Sequence, residues 1–170
     1  VTSNAPLRSG KGSLYEGGVR VPLIIHWPGI TTAGSSSDEP VATMDLYPTI
    51  LEMAGSSGDA NHNATVDGVS IVPLLKDSRS RLNRDSLYWH YPHYYATTAA
   101  VSSVRQGKWK LLEFLEGQSV ELYDINSDLG EEQNLANSYP EKARELQLKL
   151  THWRDEVTAP MPQANPNFKK

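Results

Sequence analysis

From Ser86 to Ile125 apolar residues alternate at period two, and from Ser138 to Val157 they recur at three- and four-residue steps. This switch of period is the strongest constraint on the fold. It predicts an antiparallel meander followed by one amphipathic helix. Within VRQGKWKLLEF, Trp109, Leu111 and Glu113 take one face of a strand, and Lys110, Leu112 and Phe114 the other. The next strand sets Val120 and Leu122 against Tyr123 and Ile125. Gln106-Gly107 and Glu116-Gly117 mark tight turns. With SLYWHY ahead of them, these segments make three or four strands with one face covered. On the helix, Ala143, Leu146, Leu150, Trp153 and Val157 form a stripe suited to cover the open face. Ser138 and Glu141 stand at capping-box spacing, with Pro140 in the first turn.

The first half reads differently. Residues 1–20 are polar, glycine-rich and aperiodic, hence a loop. Val21 to Trp27 (VPLIIHW) is a continuous apolar run closed by Pro28-Gly29, the pattern of a parallel strand buried on both faces, with His26 as a core histidine. TMDLYPTILEMAG reads as a helix with Leu46, Ile50, Met53 and Ala54 on one face. Asp45 or Thr43 is its cap and Gly55 its C′ residue. VSIVPLL is a short apolar segment broken by Pro73, and the tail APMPQANPNFKK reads as extended. The resulting division is an α/β layer over residues 1–80 and a small antiparallel sheet with a helix over residues 81–170. A lone parallel strand needs partners that the first part does not supply. Together with a start at Val1 rather than methionine, this reads as part of a longer chain.

Composition excludes several classes. The 170 residues carry a net charge of −4, with no basic cluster, which gives no bias toward nucleic acid. No apolar run approaches the roughly 18 residues of a membrane span. With no cysteine, disulfides and thiolate chemistry are absent from the chain. Among polar residues, Lys11 lies between Gly10 and Gly12 just ahead of the apolar run. It is either a solvated loop lysine or a point charge for a phosphate or sulfate. Such a pair gains about 4 kcal/mol at about 4 Å and an effective dielectric of about 20, before desolvation. Glu16 and Arg20 read as an internal ion pair, or as a set of carboxylate-to-backbone bonds that shape the turn. His90 and His93, in WHYPHYY, are spaced for a metal, but Pro92 interrupts them and no third ligand follows. An aromatic strand end, or a sugar- or aryl-contacting site, are the other readings. Asn63-Ala64-Thr65 is a glycosylation sequon.

NAPLRSGKGSLYEGGVRVPLIIHWPG, TMDLYPTILEMAG, DGVSIVPLL, SLYWHYPHYY, VRQGKWKLLEF and ELYDINSDLGEEQNLA follow one another as in the sulfatase family, which the chain resembles over almost its whole length. The resemblance implies the C-terminal part of an alkaline-phosphatase-like α/β fold, ending in a small antiparallel sheet packed on a C-terminal helix. It implies hydrolysis of sulfate esters by a formylglycine nucleophile, with calcium as cofactor. Lys11 matches the lysine of the family's G-K-G segment, which contacts the sulfate. His90 and His93 fall in a region that borders the substrate pocket in some relatives. The C/S-x-P-x-R motif that yields formylglycine is absent, as are the calcium ligands, so both are expected upstream and the 170 residues alone are expected to be inactive. The partners implied are the sulfate-ester substrate and the upstream part of the same sulfatase, with no nucleic acid and no membrane. The family implies a secreted or periplasmic location, or a lysosomal one in a eukaryote. A stand-alone sugar- or protein-binding module and another alkaline-phosphatase-like phosphohydrolase are the alternatives.

Overall fold

The computed structural model describes residues 3–163 and residue 165. Two units are recognisable by their internal packing: residues 1–21 with 85–170, and residues 22–84. Residues 1, 2, 164 and 166–170, parts of the expected loop and tail, lie outside the described residues.

The larger unit is built on the meander. After the one-turn helix α1 (Glu16–Val19), the strands β1 (Leu87–Tyr91), β2 (Val101–Gln106), β3 (Trp109–Phe114) and β4 (Val120–Asp124) pair antiparallel in sequence order. Leu111 stands opposite both Val104 and Leu122, so one face carries a continuous apolar row. The long C-terminal helix (Pro140–Glu156) covers that row with Ala143, Leu146 and Leu150. Tyr88 stacks on Trp153 at 4.8 Å between ring centroids. The helix starts as the stripe requires, but its N-cap is Tyr139 and the expected Ser138 cap bond is not made. Pro140 at the first position needs no donor there, which weakens the demand for a cap.

The opposite face is covered too, which period alone did not reveal. Leu14 and Tyr15 pack with Val101, Leu112, Tyr123 and Ile125. The opening segment is therefore the third layer of this unit, and not a free loop. It carries its own charges inward. Lys110, fully buried on the face shared with Leu112, lies 2.9 Å from both Glu16 Oε1 and Glu131 Oε1. Glu131 Oε2 also accepts the backbone N–H of Glu16 at 2.7 Å. The expected Glu16–Arg20 pair exists at 3.6 Å but is the weaker contact.

The second unit holds a 3-10 turn (Thr43–Asp45), α2 (Leu46–Met53), α3 (Ala60–Asn63) and α4 (Val72–Lys76). At the end of α2, Gly55 N–H donates to Glu52 O and Ser56 N–H to Leu51 O, the paired C-terminal bonds that a C′ glycine permits. Asp45 is not a cap. Its buried carboxylate accepts from Ala42 and Val69 N–H and takes the Arg84 guanidinium in two bonds of 2.7 and 2.9 Å. Pro73 does not break its segment. It sits in the first turn of α4, where a missing N–H costs nothing.

Three further expectations fail here. Val21 to Trp27 forms no strand, and Leu23 and Ile24 are 46% and 92% exposed. His26 is exposed rather than core. Ile50, expected on the packed face of α2, is 61% exposed. A continuous apolar run reports a demand for burial, but the described residues contain no neighbouring strand to satisfy it.

Candidate functional site

Lys11 occupies a turn whose backbone is held from several sides. Ser13 N–H and Oγ both donate to Gly10 O, at 3.1 and 3.0 Å. Gly12 adopts φ +87, and a Cβ there would strike the Tyr95 ring. A residue with a side chain is disfavoured on both counts. Thr97 Oγ1 donates to Lys11 O at 2.9 Å. Just beyond the turn, Gly18 brings its backbone so close to Ser13 O and Gly10 O that a Cβ would overlap them. The glycines thus make the opening segment dense, and Ser13 to Glu16 are buried beneath it.

Of the three basic residues in this segment, two are committed. The Arg8 guanidinium donates to Tyr123 OH at 2.8 Å and Glu131 O at 2.7 Å, and lies 3.9 Å over the Tyr15 ring. Arg20 pairs with Glu16. Lys11 is exposed, and its ammonium makes no hydrogen bond or ion pair among the described residues. An uncompensated cation on a rigid turn is suited to an anionic ligand, and its attraction is not spent on any described residue.

The layer below is electrostatically fixed. Burial raises the Glu131 carboxyl above its usual value, and Lys110 opposes that rise. Burial pushes the Tyr15 and Tyr123 hydroxyls upward, reinforced by Glu121, whose Oε2 accepts from both at 2.7 and 2.8 Å. Both tyrosines are thereby kept as hydroxyl donors, while burial works against the charge that Lys110 favours on Glu131. The sequence marked Lys110 by setting it among core-facing residues of a strand. Its partner Glu131 had no such mark.

The two histidines part company. His90 stands opposite Ser102 in the sheet, with Nδ1 2.7 Å from Ser102 Oγ and Nε2 2.8 Å from Pro160 O. Ser102 also accepts from Arg154 of the C-terminal helix at 3.3 Å, so His90 belongs to the helix-covered face, away from the segment that carries Lys11. Both its ring nitrogens are engaged within the protein. His93 lies on the β1–β2 connection, exposed, with its ring edge-to-face against Tyr91 at 5.4 Å. That connection also bears Tyr95 and Thr97, the two residues that touch the Lys11 turn. Among the described residues no three His, Asp or Glu side chains gather as a metal site.

The three-layered unit, with its sheet between a glycine-rich segment and a C-terminal helix, matches solved sulfatases. The crystal structure of Ps i-CgsB in complex with k-i-k-neocarrahexaose aligns with a TM-score of 0.74 at 29% identity, over 89% of this chain and 32% of that one. The structure of BT4656 in complex with D-glucosamine-2-N,6-O-disulfate aligns with a TM-score of 0.67 at 28% identity, over 82% of this chain and 29% of that one. The fold is the C-terminal part of the alkaline-phosphatase-like sulfatase architecture. In sequence, a sulfatase of Formosa agariphila is 37% identical over 172 residues, covering 94% of this chain and 31% of the relative. Human arylsulfatase A is 35% identical over 170 residues, covering 85% of this chain and 32% of its own. The family model for the C-terminal region of N-sulphoglucosamine sulphohydrolase matches residues 10–157, and the chain belongs to that sulfatase family. It spans about a third of the length of the relatives it matches.

Proposed function

We propose that these residues complete a sulfatase that hydrolyses sulfate esters, and that Lys11 contacts the sulfate group. The observation that carries this reading is the uncompensated ammonium of Lys11 on a glycine-locked turn, in a chain of the sulfatase family. A lysine so placed steadies negative charge on the sulfuryl oxygens and on the bridging oxygen as its bond to sulfur breaks. Its turn is fixed before the substrate arrives, so little reorganisation remains at the moment of reaction. Of the two histidines, His93 is the one free to meet a substrate, because His90 would have to give up a hydrogen bond within the protein.

The nucleophile and the metal lie outside these residues in this reading. No C/S-x-P-x-R occurs in the sequence, and the described side chains do not fit a calcium site, so no step is routed through either group. Sulfated saccharides are the first substrates to assay, because two structural relatives were solved with k-i-k-neocarrahexaose and D-glucosamine-2-N,6-O-disulfate. The family relation also supports export or a lysosomal location. No helix of the described residues is long and apolar enough to cross a membrane.

The test is kinetic. In the full-length protein, Lys11→Ala should lower turnover of a sulfate ester by about 10² or more, as for loss of one charge-stabilising contact. Turnover near wild type would remove Lys11 from the reaction. Faster turnover of the matching phosphate ester than of the sulfate ester would favour a phosphohydrolase instead.

A further inference from the structure

Resting on that reading of Lys11, we infer that Tyr95 and Thr97 of the β1–β2 connection are positioning residues, which set the Lys11 ammonium by clamping the turn beneath it. Lysine has a flexible four-carbon stem, and among the described residues no side chain guides its head group. Its placement therefore depends on the backbone. That backbone is flanked by two glycines, the residues with the most conformational freedom to lose. Something must restrict it, and two contacts from one loop do so. The Tyr95 ring lies against Gly12 through Cγ, Cδ1 and Cε1, and Thr97 Oγ1 holds the carbonyl of Lys11 itself at 2.9 Å.

The loop is rigid enough to act as a clamp. Tyr95 and Thr98 exchange backbone bonds of 3.0 and 3.1 Å, closing a small hairpin at its tip. Its two ends are anchored in β1 and β2 of the sheet. The ring meets Gly12 by its carbon face, so the contact does not depend on the phenol hydroxyl. The fit works in both directions. Gly12 leaves room for the ring, and the ring fills the space that any other residue's Cβ would take. Catalytic groups lose effect steeply with displacement, so a clamp on this turn acts on rate more than on substrate affinity.

The test is a double-mutant cycle in the full-length enzyme, read as kcat and KM on a sulfate ester, with melting temperature as the control for folding. Tyr95→Ala is expected to lower kcat by about tenfold with KM little changed. Tyr95→Phe should restore the rate. Thr97→Val, which keeps volume and removes one hydrogen bond, is expected to cost roughly threefold to tenfold. In the Lys11→Ala background both effects should vanish, because a residue acting through Lys11 has nothing left to position. Losses that add to that of Lys11→Ala would overturn the inference and show the loop acting independently. A fully active Tyr95→Ala enzyme beside a crippled Lys11→Ala enzyme would overturn it as well, while leaving Lys11 in place. A fully active Lys11→Ala enzyme would instead defeat the reading on which the inference stands.

Discussion

Replacing Lys110 with methionine probes how the opening segment is fastened to the sheet. The ammonium is fully buried between Glu16 and Glu131, and both carboxylates are buried with it. Methionine keeps the stem's volume and removes the charge. Two buried carboxylates then face each other with only Arg20 at 3.6 Å and Arg105 at 3.9 Å beside Glu16 Oε2, and no cation left beside Glu131 Oε1. Breaking a buried ion pair by removing one partner costs about 3–5 kcal/mol. The exposed Lys108–Asp124 pair, at 2.7 Å, is the internal standard, and Lys108→Ala should cost under about 1 kcal/mol. Urea unfolding followed by tryptophan fluorescence reads this unit well, since Trp89, Trp109 and Trp153 all lie in it. The sign of the pH dependence is fixed by Glu131. Its carboxyl is raised above the usual 4.5 in the fold, mainly by burial. The stability linked to its neutral form is therefore full below that value and lost as pH rises through the folded one. Removing Lys110 strengthens this trend, so the Lys110→Met penalty should shrink on acidification from pH 7 toward pH 4. A penalty at pH 7 no larger than that of Lys108→Ala, or one that does not change with pH, would refute the reasoning.

Leu146→Ala removes a fully buried side chain at the centre of the helix–sheet contact and should cost about 2–5 kcal/mol in urea unfolding. Asp45 behaves oppositely to Glu131. Burial alone would raise its carboxyl, but the Arg84 guanidinium and the Ala42 and Val69 amides outweigh this and hold it below the usual 3.8. Its contribution is thus present above 3.8 and lost as pH falls through the folded value. Asp45→Asn should abolish that acid-linked loss of protection at the Val69 amide in hydrogen exchange. At neutral pH it should destabilise residues 22–84 by about 3–5 kcal/mol, since Arg84 is left without its charge partner.

The sheet and its helix were legible because each element repeats a signal locally. Alternation placed Leu111 and Leu122 on one face and Lys110 and Tyr123 on the other, as the register has them. What was not legible depends on partners distant in the chain. Glu16 meets Glu131 across 115 positions, and no local pattern records such a contact. The run Val21–Trp27 shows the converse. Its composition reads as a buried strand, yet Val21, Leu23 and Ile24 are exposed, because an apolar run does not itself supply the neighbours that would bury it. At the proposed site, the spacing alone left Lys11 as either a solvated loop lysine or a point charge, and the family resemblance singled it out, while nothing local marked Tyr95 and Thr97. The positioning role proposed for them rests on the approach of the Tyr95 ring to Gly12, two segments far apart in the chain. His90 and His93 stand three apart in sequence, but β1 ends between them, so the strand turns His90 toward the helix-covered face and His93 lies on the connection.

The most direct measurement is a crystal structure of the full-length protein with sulfate or a sulfate-ester analogue bound. The account predicts Lys11 Nζ at charge-assisted hydrogen-bond distance from a sulfate oxygen, about 2.7–2.9 Å. The Tyr95 ring should still rest on Gly12. An oxyanion held elsewhere, with the Lys11 ammonium directed into bulk solvent, would contradict it.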